Sequence, residues 1–163
     1  MKSLAMLFIA IVLSGCSFKP RQPMSFQKQY GGIAITTENN QLEDTLASTL
    51  DIKRNTGIPP RYQLRITNYT VHSNNLSQTN ANAAESITYT LNATAVLDQN
   101  KTTLISKQFQ INQTHIIGNP QTANLPFSNK IEAELQNNLA ERIYHWLLSN
   151  EVKHAIKATG NEN

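Results

Sequence analysis

Two long alternating stretches, Glu85 to Leu97 and Thr102 to Ile117, flank the turn-forming residues Asp98-Gln99-Asn100. In the first, Ile87, Tyr89, Leu91, Ala93, Ala95 and Leu97 share one side, while Thr88, Thr90, Asn92 and Thr94 share the other. In the second, Ile105, Phe109, Ile111 and Ile117 fall together. A period of two marks half-buried strands, and a short polar turn joins them antiparallel. A hairpin is marginal alone in water, so its apolar side must be covered by other elements. Its other side carries hydroxyls and amides more than charges. A face exposed to water explains that, and so does a face resting against another polar surface.

The rest of the chain supplies the cover. Ile33 to Thr36 reads as a short strand. From Asn40, Leu42, Leu46 and Leu50 recur at helical spacing, with Asn39 or Asn40 as cap and Glu43 and Asp44 in the first turn. Gly57 and Pro59-Pro60 close that segment. Tyr62 to Val71 is a further strand, in which Tyr62, Leu64 and Ile66 alternate with Gln63, Arg65 and Thr67. Ser73 to Ala84 reads as a polar, mobile loop. After the loop Gly118 to Pro126, Ser128 can cap a last helix. Ile131, Leu135, Leu139, Ile143, Trp146 and Leu147 form its apolar stripe, and Glu132, Glu134, Asn138 and Glu141 its wet side. Beyond Glu151 the helix is expected to run on for a turn or two, with a disordered tail after Gly160. Two helices with apolar stripes and a sheet with one apolar face specify an α+β fold. The expected architecture is a two-layer sandwich, two helices on one face of a mostly antiparallel four-stranded sheet, in the order β-α-β-β-β-α.

The N-terminus speaks to location. Lys2, an uncharged apolar run from Leu4 to Leu13, and the small residues Ser14-Gly15 before Cys16 have the form of a secretory signal. The run is well short of the ~20 apolar residues that cross a bilayer. Leu13-Ser14-Gly15-Cys16 closely resembles the bacterial lipobox, whose cysteine is acylated and becomes the new N-terminus. Cys16 is the only cysteine, so no disulfide can employ it, and lipid attachment at about 0.8 kcal/mol per buried CH₂ gives it a role. Ser17 stands where an inner-membrane retention signal usually has Asp, which implies an outer-membrane destination. The expected division is a signal peptide over 1–15, acylated Cys16 and a tether over 16–31, an α+β domain over 32–150, and a helix end with a disordered tail over 151–163. Lys19, Arg21 and Lys28 in the tether either touch anionic headgroups or are simply solvated.

Charge and chemistry exclude several classes. The net charge of +3 is spread thinly, charged residues make up 15% of the chain, and no basic cluster marks a nucleic-acid surface. His72, His115, His145 and His154 show no metal-ligand spacing, and neither a nucleophile elbow nor a glycine-rich phosphate loop occurs. The Asn-x-Ser/Thr triplets at Asn68, Asn75, Asn92 and Asn112 are accidents of an Asn- and Thr-rich exported bacterial chain. Neither catalysis, metal nor cofactor is expected. The chain reads as a binding protein.

The lipobox, the tether and the β-α-β-β-β-α order together resemble the LptE family, lipoproteins that sit inside the LptD outer-membrane barrel and help deliver lipopolysaccharide to the outer leaflet. Tyr89 to Leu97, with its Asn92-Ala93-Thr94, resembles the family's central strand, and Asn119-Pro120-Gln121 the loop before its final helix. The resemblance implies an LptD-like β-barrel and lipopolysaccharide as partners, and an outer-membrane, periplasm-facing location with the domain within a barrel lumen. It implies basic residues at one end of the sheet for lipopolysaccharide. This chain has none in Ser73 to Ala84, and near its strand ends it keeps Arg61, Arg65, Lys101 and Lys107; Lys101 in the hairpin turn and Lys130 at the start of the last helix are the candidates, each equally readable as a solvated charge. Barrel interiors are polar, so a plug should be rich in amides and hydroxyls outside. Asn92, Thr94, Gln108, Gln110 and Asn112 fit such a barrel-facing surface. The alternative is a generic periplasm-facing envelope lipoprotein acting as assembly factor or scaffold. A lipid-anchored hydrolase would need a clustered catalytic set.

Overall fold

A computed structural model describes residues 31–52, 59–76, 85–117 and 126–160. Cys16, the tether up to residue 30, residues 77–84 of the Ser73 to Ala84 loop and Asn119-Pro120-Gln121 lie outside the described residues. The elements run β1 (Ile33–Thr36), α1 (Asn40–Thr49), β2 (Tyr62–Leu76), β3 (Glu85–Gln99), β4 (Thr102–Ile117), α2 (Pro126–Leu147) and α3 (Asn150–Gly160). The four strands form one sheet in the order β1-β2-β3-β4. β1 pairs with β2 in parallel, Ile33 opposite Tyr62, and the other two pairings are antiparallel. The fold is the expected α+β sandwich, with all helices over one sheet face and a third helix added after the expected last one.

Each helix starts and stops for local reasons. Asn39 caps α1, its side-chain oxygen accepting the Leu42 N–H at 3.0 Å. At the other end Asp51 takes a left-handed φ of 52°. The Ile52 N–H then bonds the Ala47 carbonyl at 2.9 Å and the Asp51 N–H the Ser48 carbonyl at 3.2 Å, a Schellman closure. The chain therefore leaves the helix before Gly57 is reached. Between α2 and α3, the Ser149 N–H turns back to the Trp146 carbonyl at 2.9 Å, and the Ser149 hydroxyl accepts the Val152 N–H at 3.5 Å. Ser149 thus caps a new helix instead of prolonging the old one. The break re-aims the chain so that Val152 is fully buried.

The core lies between the layers. Leu42 and Leu46 of α1 with its C-cap Leu50, Ile131, Leu135, Leu139, Ile143 and Leu147 of α2, and Leu64, Leu91 and Leu97 of the sheet are its largest fully buried side chains. Trp146 belongs to it too, set edge-to-face on Phe109 with ring centroids 6.0 Å apart.

The strands depart from the expected pattern at two bulges. In β2 the register slips between Thr67 and Thr70, where Asn68 and Tyr69 together oppose Ala93. Asn68 takes φ 54°, the left-handed region that Asn tolerates best among non-glycine residues. The slip reverses the parity of the strand, so Tyr62, Leu64 and Ile66 point to the core before it and Tyr69 and Val71 after it. The second bulge lies between Leu97 and Asp98, before a turn with positive φ at Asn100 and Lys101, 51° and 66°. Asp98 is therefore not a turn residue. It is 6% exposed, paired with the Arg65 guanidinium at 3.0 Å and accepting the Thr103 hydroxyl at 2.7 Å. β2 also runs to Leu76, so the first residues of the expected mobile loop are strand.

Candidate functional site

The side of the sheet turned away from the helices carries a continuous run of amides and hydroxyls on β3 and β4. Its cross-strand neighbours are Thr90 with Asn112, Asn92 with Gln110, and Thr94 with Gln108. The five residues expected to face a barrel, Asn92, Thr94, Gln108, Gln110 and Asn112, thus share this face as three adjacent rungs. On the β2 side the bulge delivers Asn68 to it. With the amide turned outward, its Nδ2 donates to the Thr94 hydroxyl at 3.5 Å. Asn68, Asn92, Thr94, Gln108 and Gln110 border a shallow open depression of about 470 Å³.

Short polar side chains stitch the face together. The Thr88 and Thr114 hydroxyls lie 2.9 Å apart, and Gln63 donates to the Thr36 hydroxyl at 3.0 Å. The Arg65–Asp98 pair brings its own counter-charge. Val96, opposite Arg65 on one side and Ser106 on the other, is 9% exposed. Among the described residues this surface is close to neutral and hydrogen-bonding. It offers no apolar patch for a greasy partner and no clustered charge for an ionic one, but many donors and acceptors for a polar one.

The two lysines proposed for lipopolysaccharide do not share a site. Lys101 sits in the β3–β4 turn, bordering a recess with Arg61, Gln63 and Asn100. Lys130 lies on the first turns of α2, just before Glu132, which meets Tyr69. Tyr69 lies opposite Ala93, near the middle of β3 and six residues from Gln99 at the turn, so Lys101 stands at the turn end and Lys130 near mid-sheet or beyond it. At ~3.4 Å per strand residue that is roughly 20 Å. Both are exposed.

A polar cluster that the sequence did not announce lies inside the sandwich at the Lys130 end. The Tyr69 hydroxyl donates to the Glu132 carboxylate at 3.2 Å, and the fully buried Gln136 amide donates to Tyr69 at 3.1 Å and to Glu132 at 3.3 Å. Next to it, Gln113 donates to Glu134. Glu132 and Glu134, expected on the wet side of α2, therefore face the sheet. The bulge at Asn68 turns Tyr69 toward the helix, where Glu132 meets it, and Glu134 finds Gln113 of β4 instead. Burial raises the Tyr69 phenol above its ordinary pKa, and the neighbouring Glu132 charge pushes the same way against the lowering effect of the Gln136 hydrogen bond.

Among the described residues no group of three or more His, Cys, Asp or Glu is placed to hold a metal, and no helix is long and apolar enough to cross a membrane. His72, His145 and His154 are exposed and widely spaced, while His115 is half-buried, edge-on to Tyr89 at 6.1 Å.

The fold defines a class: a small α+β domain whose sheet is covered by helices on one side and polar on the other. No protein-family model matches the chain, and no curated protein matches it in sequence. Solved structures do. A minor lipoprotein from Acinetobacter baumannii superposes with a TM-score of 0.51 at 14% identity, over 70% of this chain and 86% of that one. The rare lipoprotein B from Shewanella oneidensis gives 0.49 at 20% identity, over 75% of this chain and 96% of that one. At such an identity the first likeness is one of fold alone.

Proposed function

We propose that this chain is an outer-membrane lipoprotein, anchored through Cys16, that plugs and assists assembly of the lipopolysaccharide-translocating β-barrel, an LptD-like partner. The observation that carries the reading is the outer sheet face, where Asn92, Thr94, Gln108, Gln110 and Asn112 form adjacent neutral rungs. A barrel lumen is lined by polar side chains, and a neutral surface dense in amides and hydroxyls can pair with such a wall without burying unmatched charge. The lipobox supports placement at the membrane, and the shared fold with a lipoprotein supports the domain type. The role is one of binding, with no reaction assigned to any residue. Lipopolysaccharide phosphates, if held by one basic site, fall to Lys101 beside Arg61, with Lys130 too distant to share it.

The test is a pull-down of C-terminally tagged protein from detergent-solubilised outer membranes, with partners identified by mass spectrometry. A stoichiometric large β-barrel retained in high salt is the expected result. Recovery of the lipoprotein alone, or with soluble periplasmic proteins, would sink the plug reading and leave an assembly factor or scaffold in its place.

A further inference from the structure

A separate surface lies at the margin of the sheet. β4 is 16 residues long and terminal in the strand order, so no described strand pairs with its outer side. An edge strand turns the N–H and C=O of every second residue outward, and natural sheets usually blunt such edges with proline, inward charges or short length. β4 contains no proline, and its bulge lies near Leu97 and Asp98, leaving Ile105 to Ile117 in regular register. The carbonyl of Gln110 is reached by Arg142 Nη1 at 3.5 Å from outside the sheet. With a period of two, Gln108, Gln110 and Asn112 then present their backbone groups at the open edge.

The edge is also a groove. Lys107, Phe109 and Gln110 of β4 form one wall, and Arg142, His145 and Trp146 of α2 the other, around about 440 Å³ of open space. Lys107 is 3.8 Å from Glu151, and both side chains are about half exposed. Arg142 is exposed and has no carboxylate among its described contacts. Pairing of two copies edge to edge around Gln110 would bring two Arg142 guanidiniums together, while each Lys107 carries its Glu151 partner with it. The charge distribution disfavours self-pairing and favours an acidic occupant.

We propose that β4 is a strand-acceptor edge: an extended acidic segment of another polypeptide adds to it as a fifth strand, its carboxylates meeting Arg142 and Lys107. Main-chain hydrogen bonds along Gln108, Gln110 and Asn112 would supply affinity, and the cations would select charge and register. The inference uses the backbone groups of Gln108, Gln110 and Asn112 and the barrel reading their side chains, so Arg142→Glu, which lies off the sheet face, tests the edge without touching that face.

The probe is a fluorescein-labelled peptide of about ten residues, the length of an ordinary strand, alternating Thr and Glu. Its Thr–Lys counterpart is the control. Titrated with the full chain in detergent, the Thr–Glu peptide is expected to raise anisotropy and slow amide exchange at Gln108, Gln110 and Asn112, while the control does neither. Arg142→Glu, at an exposed side chain, is expected to weaken binding about tenfold. Gln110→Pro removes an outward N–H that the fold does not use, so it should abolish binding with the circular dichroism unchanged. Equal binding of both peptides, binding without protection in β4, or no binding of the Thr–Glu peptide would each overturn the proposal. If Gln110→Pro disturbs the fold, Arg142→Glu and the exchange pattern decide alone.

Discussion

Tyr69 shows how one side chain ties two layers together. Its hydroxyl donates to Glu132 and accepts from Gln136, whose side chain has no exposure to water. Tyr69→Phe keeps the ring and deletes both bonds, leaving Gln136 to Glu132 alone. The expected cost is about 1–2 kcal/mol in urea unfolding. The pH dependence has a definite sign. The phenol is raised above 10.0 in the fold, so above that pH the unfolded chain loses this proton before the folded one does. The contribution of Tyr69 to stability is therefore complete below pH 10 and declines as pH rises beyond it. Unfolding midpoints measured on the alkaline side should fall less steeply for Tyr69→Phe than for the natural chain. An identical slope would show that another group controls alkaline stability.

At the scale of the element, the bulge in β2 decides more than any helix does. A strand without it would carry Asn68 into the core and point Tyr69 outward, exchanging the two faces from there to Leu76. The left-handed φ of 54° at Asn68 is the conformational cost. Asn68→Gly should be close to neutral. Asn68→Val, with its branched Cβ in that region, should lose about 1–2 kcal/mol. Equal stability of the two variants in denaturant titrations would mean that the bulge relaxes elsewhere. The same logic covers Ser149, whose hydroxyl starts α3 and so brings Val152 into the core.

For the whole molecule, the two sheet faces do different work. The covered face holds the core, whereas the amide and hydroxyl rungs Asn92, Thr94, Gln108, Gln110 and Asn112 of the open face are exposed or half-buried, so they can be changed without opening the core. Asn92→Glu places a charge at the centre of the open face, in the middle rung between Thr90 and Thr94. Stability is expected to change by no more than about 0.5 kcal/mol, as for other surface substitutions. Co-purification with a barrel should fall at least about tenfold, because a buried unpaired charge opposes a polar interface. Unchanged recovery of the barrel by this variant would move the contact off the face.

Much of this was legible from the amino acids alone. Periods of two and 3.6 identified the strands and helices, the stripe of α2 named its core residues, and the amides and hydroxyls of β3 and β4 fell on one face as read. Such patterns are local, because burial on one side imposes a period on the chain itself. Other features belong to the tertiary structure. The parallel pairing of β1 with β2, the burial of Asp98 against Arg65, and the inward turn of Glu132 and Glu134 depend on partners tens of residues away. So does the separation of Lys101 from Lys130, and so does the open edge of β4. A period states which side of an element is buried, but only the packed fold decides what lies opposite it.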